Sequence, residues 1–97
     1  MYKVEYSPSF TKYLKKIKDN QLKNKLKEGI KMISENPYLG KQKKGILKGR
    51  WCYDIYYNKT NYELAYEIHE YKGKLILVLL AGSRENFYDQ LSRLVSK

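Results

Sequence analysis

The second half of the chain restricts the fold most. From Trp51 the residues alternate strictly, with Trp51, Tyr53, Ile55 and Tyr57 on one side and Cys52, Asp54, Tyr56 and Asn58 on the other. After Asn58-Lys59-Thr60-Asn61 the alternation resumes, Tyr62, Leu64, Tyr66 and Ile68 against Glu63, Ala65, Glu67 and His69. A period of two sends successive side chains to opposite faces of an extended strand, so both segments read as strands joined by a turn. A tight hairpin closed over Asn58–Asn61 pairs Tyr57 with Tyr62, Ile55 with Leu64 and Tyr53 with Tyr66 on the core face. On the opposite face it sets Tyr56 across from Glu63 and Asp54 across from Ala65. A second turn at Tyr71-Lys72-Gly73 leads into Leu75-Ile76-Leu77-Val78-Leu79-Leu80, an unbroken apolar run expected to be a central strand buried on both faces.

The first half follows a different period. Tyr2, Val4 and Tyr6 alternate with Lys3 and Glu5 as a short strand, and Ser7-Pro8-Ser9 reads as a helix start, a hydroxyl cap followed by proline in the first turn. Phe10, Tyr13, Leu14 and Ile17 then fall on one helical stripe. Asp19-Asn20 interrupts it, and Leu22, Leu26, Ile30 and Ile33 form a second stripe that stops at Asn36-Pro37. The two helices are expected as an antiparallel hairpin. Gly40, Gly45 and Gly49 lie among Lys41, Lys43, Lys44, Lys48 and Arg50, a flexible basic loop that enters a strand near Ile46-Leu47. Gly82-Ser83 ends the apolar strand, and Ser83 is expected to cap a last helix with Phe87, Leu91 and Leu94 as its stripe. The order β-α-α-β-β-β-α makes one α+β domain over residues 1–97. Its helical hairpin packs on a mainly antiparallel sheet whose other face is partly open, with the C-terminal helix at the end.

Charge narrows the partners. Twenty Lys and Arg stand against ten Asp and Glu, a formal net charge of +10. Self-repulsion of that size points to a polyanionic partner. Residues 11–50 hold thirteen of the cations and three of the acids, with Lys12, Lys15, Lys16, Lys18, Lys23, Lys25, Lys27 and Lys31 on the outer helix faces. Residues 51–71 are locally acidic. One cysteine, Cys52, forbids an intrachain disulfide and fits a reducing, cytoplasmic setting. Cys52 and the one histidine, His69, make a nucleophilic pair only if the fold brings them together, and one of each is too few for a metal site. The start of the chain has no apolar signal core, and the longest apolar run, Leu75 to Ala81, is far too short to span a membrane.

Several segments in order, "YSPSF", "NPYLG", "LKGRW", "NYELAY" and "LLAGSRENFY", resemble the RelE/ParE superfamily of toxins from bacterial type II toxin–antitoxin modules, over nearly the whole chain. The resemblance implies a RelE-like fold and a ribosome-dependent mRNA endoribonuclease, restrained by a cognate acidic antitoxin and using no cofactor. It implies a toxin monomeric alone and a larger complex with antitoxin. In the implied chemistry a ribose 2′-hydroxyl attacks the adjacent phosphate, which needs a base, cations for the phosphorane and an acid for the leaving oxygen. Arg84 matches the family arginine after the last strand, and Tyr88 the tyrosine near the C-terminus, placed to stack on a base or move a proton. Asp54 and Tyr56 stand where the RelE pattern carries lysines, and Glu63 where "YRLVY" carries a phosphate-binding arginine. Asp54 or Glu63 then becomes the candidate base. Lys44, Lys48 and Arg50, with Lys41 and Lys43, become phosphate-tracking cations toward ribosomal RNA and mRNA, and Tyr56 a stacking surface. The same departures admit two other readings: a ParE-like toxin that inhibits DNA gyrase, or a non-toxic relative that only engages an antitoxin.

Overall fold

Ser7 begins the helical half as its sequence suggests. In the computed structural model, which describes residues 1–96, the Ser7 hydroxyl accepts the Phe10 N–H at 3.1 Å and Pro8 opens α1 (Pro8–Lys16). Asp19 repeats the device for α2 (Asn20–Glu35), its carboxylate accepting from the Gln21 and Leu22 N–H groups at 3.0 and 3.3 Å. Phe10, Ile17, Leu22, Leu26, Ile30 and Ile33 are buried, so both stripes face the core. Lys97, included in the expected domain, lies outside the described residues.

Five strands form one sheet in the order β1-β5-β4-β3-β2: β1 (Lys3–Tyr6), β2 (Lys41–Gln42), β3 (Trp51–Tyr57), β4 (Thr60–His69) and β5 (Leu75–Ser83). Only β1 runs parallel to its neighbour, β5. The α+β architecture is as expected, with one strand more. No strand forms at Ile46-Leu47. Gly45 and Gly49, at φ +66° and +89°, bracket a 3₁₀ turn over Gly45–Leu47 that drops Leu47 into a small core. The loop is therefore anchored, and the extra pairing comes earlier, at Lys41 with Cys52 and Gln42 with Trp51.

The β3–β4 register differs from the sequence expectation by two residues. Asn58 and Lys59 both adopt left-handed backbone, φ 50° and 62°, which closes a two-residue turn and leaves Thr60 and Asn61 in β4. Tyr57 thus pairs with Thr60, Ile55 with Tyr62, Tyr53 with Leu64, and Asp54 with Glu63. A shift of two keeps every side chain on its face but changes its neighbour.

The first face packs the helical hairpin on Ile55, Leu64, Tyr66, Ile76, Val78 and Ala81. The opposite face is not left open at its centre. There α3 (Phe87–Val95) lays Phe87 and Leu91 over Cys52, Ala65, Leu79 and Leu80, with Leu47 beside them. Both faces of β5 are thus apolar, and a bulge shifts its alternation at one point: Ala65 pairs with Leu80 and Tyr66 with Val78, so Leu79 is an extra residue. The bulge carbonyls are satisfied from outside the ladder, Val78 by the Ser7 N–H at 2.9 Å and Leu79 by the Ser7 hydroxyl at 2.5 Å. Ser83 does not cap α3, because it still belongs to β5, paired with Tyr62. Asn86, at φ 66°, occupies the cap position instead and makes no side-chain cap bond.

Two further features bear on the site. Tyr66, wholly buried, donates to the Pro37 carbonyl at 2.6 Å and accepts the Gly40 N–H at 3.1 Å, so one phenol fixes the turn that launches β2. At Gly40 a Cβ would lie 2.8 Å from the Cys52 carbonyl oxygen, which explains the glycine after Tyr38-Leu39. The outer edge of β3 is open beyond β2. Tyr57 and Thr60 close the hairpin, so odd residues of β3 bond to β4, and the N–H and C=O groups of Asp54 and Tyr56 point outward with no strand beyond.

Candidate functional site

The corrected register places two carboxylates side by side. Asp54 and Glu63 face each other across the ladder on the α3 side of the sheet, an arrangement that repels when both are ionised. Arg84 resolves it. Its backbone N–H donates to the Asn61 carbonyl at 2.9 Å, holding the residue over the hairpin just after β5. Its Nε and Nη2 each lie 2.9 Å from Glu63 Oε2, and Nη2 is 3.6 Å from Asp54 Oδ2. Glu63 sits opposite Gly82, and its side chain is 1% exposed, against 43% for Asp54 and 59% for Arg84.

Burial dominates the titration of Glu63. It pushes the Glu63 carboxyl above its ordinary range, Asp54 adds to the rise, and Arg84 opposes it. The hydrogen bond to Glu63 raises the Arg84 guanidinium in turn. Glu63 Oε1 has no hydrogen-bond partner. Of the two carboxyls Asp54 is the one that reaches solvent.

The first turn of α3 completes the cluster. Tyr88 packs edge-on against Phe87, ring centroids 5.3 Å apart, and Lys43 Nζ stands 4.9 Å from the Tyr88 ring centroid. Burial raises the Tyr88 phenol, while the Lys43 ammonium pulls it down. The Tyr88 hydroxyl raises Lys43. Cys52 lies beneath, buried, its thiol pushed up to about 11 by desolvation. An acid–base dyad, a guanidinium, an ammonium and a phenol thus gather on one sheet face, a set able to move protons around a phosphate.

A family model for the ParE-like toxins of type II bacterial toxin–antitoxin systems matches residues 4–92. The chain belongs to this family. In fold the toxin is similar to a chain in the crystal structure of the RelBE2 toxin–antitoxin complex from Mycobacterium tuberculosis, at 21% identity and a TM-score of 0.67, over 86% of this chain and 98% of that one. No curated protein matches it.

The toxin joins Asp54, Glu63 and Arg84 by direct contacts, sets Tyr88 on the same face against Lys43, and leaves the other expected residues apart. Lys44 and Lys48 are exposed on the anchored loop. Arg50 is not a free cation: its Nε pairs with Glu67 at 3.0 Å, and Nη1 donates to the Lys48 carbonyl at 3.1 Å. Tyr56, 68% exposed on the α3 face, is available for stacking. Cys52 and His69 are not brought together. Cys52 pairs with Ala65, four residues or about 13 Å of strand from His69, and His69 Nε2 contacts Glu67 instead at 2.9 Å. Among the described residues no three His, Cys, Asp or Glu side chains converge, and no helix is long and apolar enough to cross a membrane. Lys43 is one loop lysine among several by spacing, and nothing in the sequence links it to Tyr88. The signal was its place two residues after Lys41 at the end of β2, which only the observed pairing makes visible.

Proposed function

We propose that this toxin is an mRNA endoribonuclease that acts on the ribosome. The observation that carries the reading is the Asp54–Glu63 dyad bound to Arg84: a buried carboxyl shifted upward, an exposed carboxyl opposite it, and a guanidinium whose outer side stays accessible. A base must reach the substrate, so Asp54 takes the proton of the ribose 2′-hydroxyl. Glu63 positions Arg84, and the exposed part of the guanidinium meets the phosphate whose charge grows. Tyr88 hands a proton to the departing 5′-oxygen. Lys44 and Lys48 track phosphates of ribosomal RNA and mRNA, Arg50 stiffens the loop between them through Glu67, and Tyr56 stacks on a base.

An acidic antitoxin restrains the activity, its extended segment folding as it wraps the lysine-covered helices and the sheet. Induced expression followed by primer extension on translated mRNA tests the reading. Cuts within the coding region, lost in Arg84→Ala and Asp54→Asn, are expected. Intact mRNA with arrested DNA supercoiling refutes it in favour of gyrase inhibition. One observation favours that second reading: Glu63 already holds both Nε and Nη2 of Arg84. Unchanged growth points to a relative that only engages its antitoxin.

A further inference from the structure

We propose that Lys43, arriving from the end of β2, is the fixed positive charge that meets the reacting phosphate, a role that rests on the endoribonuclease reading above. Charge at the cluster makes the case for a second cation. Asp54 and Glu63 together outweigh Arg84 whenever both are ionised, and Glu63 already engages two of the Arg84 nitrogens. A phosphate approaching this face gains a second negative charge in the transition state, and a site with no surplus of positive charge cannot offset it. β3 brings none, since Asp54 and Tyr56 occupy its positions on this face.

The ladder shows how Lys43 reaches the gap. Lys41 pairs with Cys52 and Gln42 with Trp51, and the Lys43 N–H continues the pairing to the Arg50 carbonyl at 2.9 Å. Cys52 faces α3 and Trp51 faces the helical hairpin. Alternation therefore puts Lys43 on the face of Cys52, Asp54 and Glu63. The Tyr88 ring, 4.9 Å from Nζ, holds the side chain there by a cation–π contact. Among the described residues Lys43 pairs with no carboxylate, which sets it apart from Arg50 and Arg84. Lys44 and Lys48 also lack acidic partners, but neither has a contact that brings it to the cluster.

Lys43 contributes charge and moves no proton. The Tyr88 hydroxyl holds its pKa above the ordinary lysine value, so the ammonium persists across the physiological range. In the step itself the 2′-oxygen bonds to phosphorus and its proton passes to Asp54. The bond from phosphorus to the 5′-oxygen breaks, and that oxygen takes a proton from Tyr88. The products are a 2′,3′-cyclic phosphate and a 5′-hydroxyl. Lys43 faces a non-bridging oxygen throughout.

Single-turnover cleavage of a defined mRNA on programmed ribosomes, with toxin freed from its antitoxin, tests the assignment. Lys43→Ala is expected to lower the saturated rate by about 10²–10³-fold, the loss typical of removing one donor to a developing oxyanion. Lys43→Arg, which keeps charge and stem, should retain the rate within about tenfold and shows that the charge matters rather than the fold. A Lys43→Ala variant that cuts at the wild-type saturated rate overturns the assignment alone, as does a loss that Lys43→Arg shares in full. Wild-type toxin that leaves the mRNA intact overturns the nuclease reading, and this assignment with it.

Discussion

Replacing Tyr66 with phenylalanine isolates the contact that sets the position of β2. The ring is fully buried and keeps its packing in the variant, so only the hydroxyl is removed. Two partners lose it: the buried Pro37 carbonyl, which it meets at 2.6 Å, and the half-buried Gly40 N–H at 3.1 Å. A buried group left without a partner costs about 1–3 kcal/mol, while a group that can turn to water loses nearer 0.5–1.5 kcal/mol, so the pair comes to about 1.5–4.5 kcal/mol. For a chain of this size that lowers the melting temperature by roughly 6–36 °C. Urea unfolding followed by circular dichroism measures the change directly, with an unchanged slope because the surface exposed on unfolding is the same. Gly40→Ala should destabilise comparably, since its Cβ would crowd both the Tyr66 hydroxyl and the Cys52 carbonyl oxygen. The double variant should fall short of the sum, because losing the hydroxyl relieves one of those contacts. A Tyr66→Phe loss below about 1 kcal/mol would refute the reasoning, placing the stability of the turn in the backbone instead.

Other expectations follow from the same cluster and its loop. The folded pKa of Glu63 lies above the ordinary 4.5, so the folded state holds an extra proton just above that value, and stability falls as pH rises through the interval. Melting followed from pH 4.5 upward should show this decline in the wild type and not in Glu63→Gln, and a wild type that gains stability across the interval contradicts the dominance of burial. With its thiol near 11, Cys52 should resist maleimide at neutral pH in the folded protein and react promptly in urea, as read by mass spectrometry. Rapid labelling of the native state would mean the α3 face opens readily. Lys44→Ala and Lys48→Ala should each flatten the dependence of log affinity for RNA on log salt by about 0.7–0.9, measured by filter binding, and an unchanged slope removes that lysine from the phosphate contacts.

Period carried most of the fold. The helix stripes, the caps at Ser7 and Asp19 and the faces of β3 and β4 follow from spacing and side-chain chemistry that act within a few residues. What spacing could not reveal depended on backbone conformation. The turn after Tyr57 hinged on whether Asn58 and Lys59 alone could take left-handed backbone, and that choice decides whether Asp54 faces Ala65 or Glu63. Residues 79 and 80 both face α3 because of a bulge, which a continuous apolar run conceals. Ser83 and Asn86 both suit a helix cap, and the length of β5 selects between them. The candidate site was legible as a set of residues on one face and a loop beside it. Which of them touch was not, because Glu63–Arg84 and Lys43–Tyr88 are contacts between elements far apart in sequence, and Arg50 is taken up by Glu67 rather than left for phosphate.

The uncovered edge of β3 has a consequence for handling the protein. Outward-pointing backbone groups at Asp54 and Tyr56 are a template for sheet growth from molecule to molecule, the route by which edge strands seed aggregation. The chain places no proline at this edge, and its guard is the charge of Asp54, whose carboxylate would lose water if a foreign strand docked there. Self-pairing would also bring two such carboxylates into neighbouring rows. The residue assigned to take a proton from RNA thus keeps the free toxin dispersed as well, and Asp54→Asn should sediment with larger species than Arg84→Ala at equal concentration.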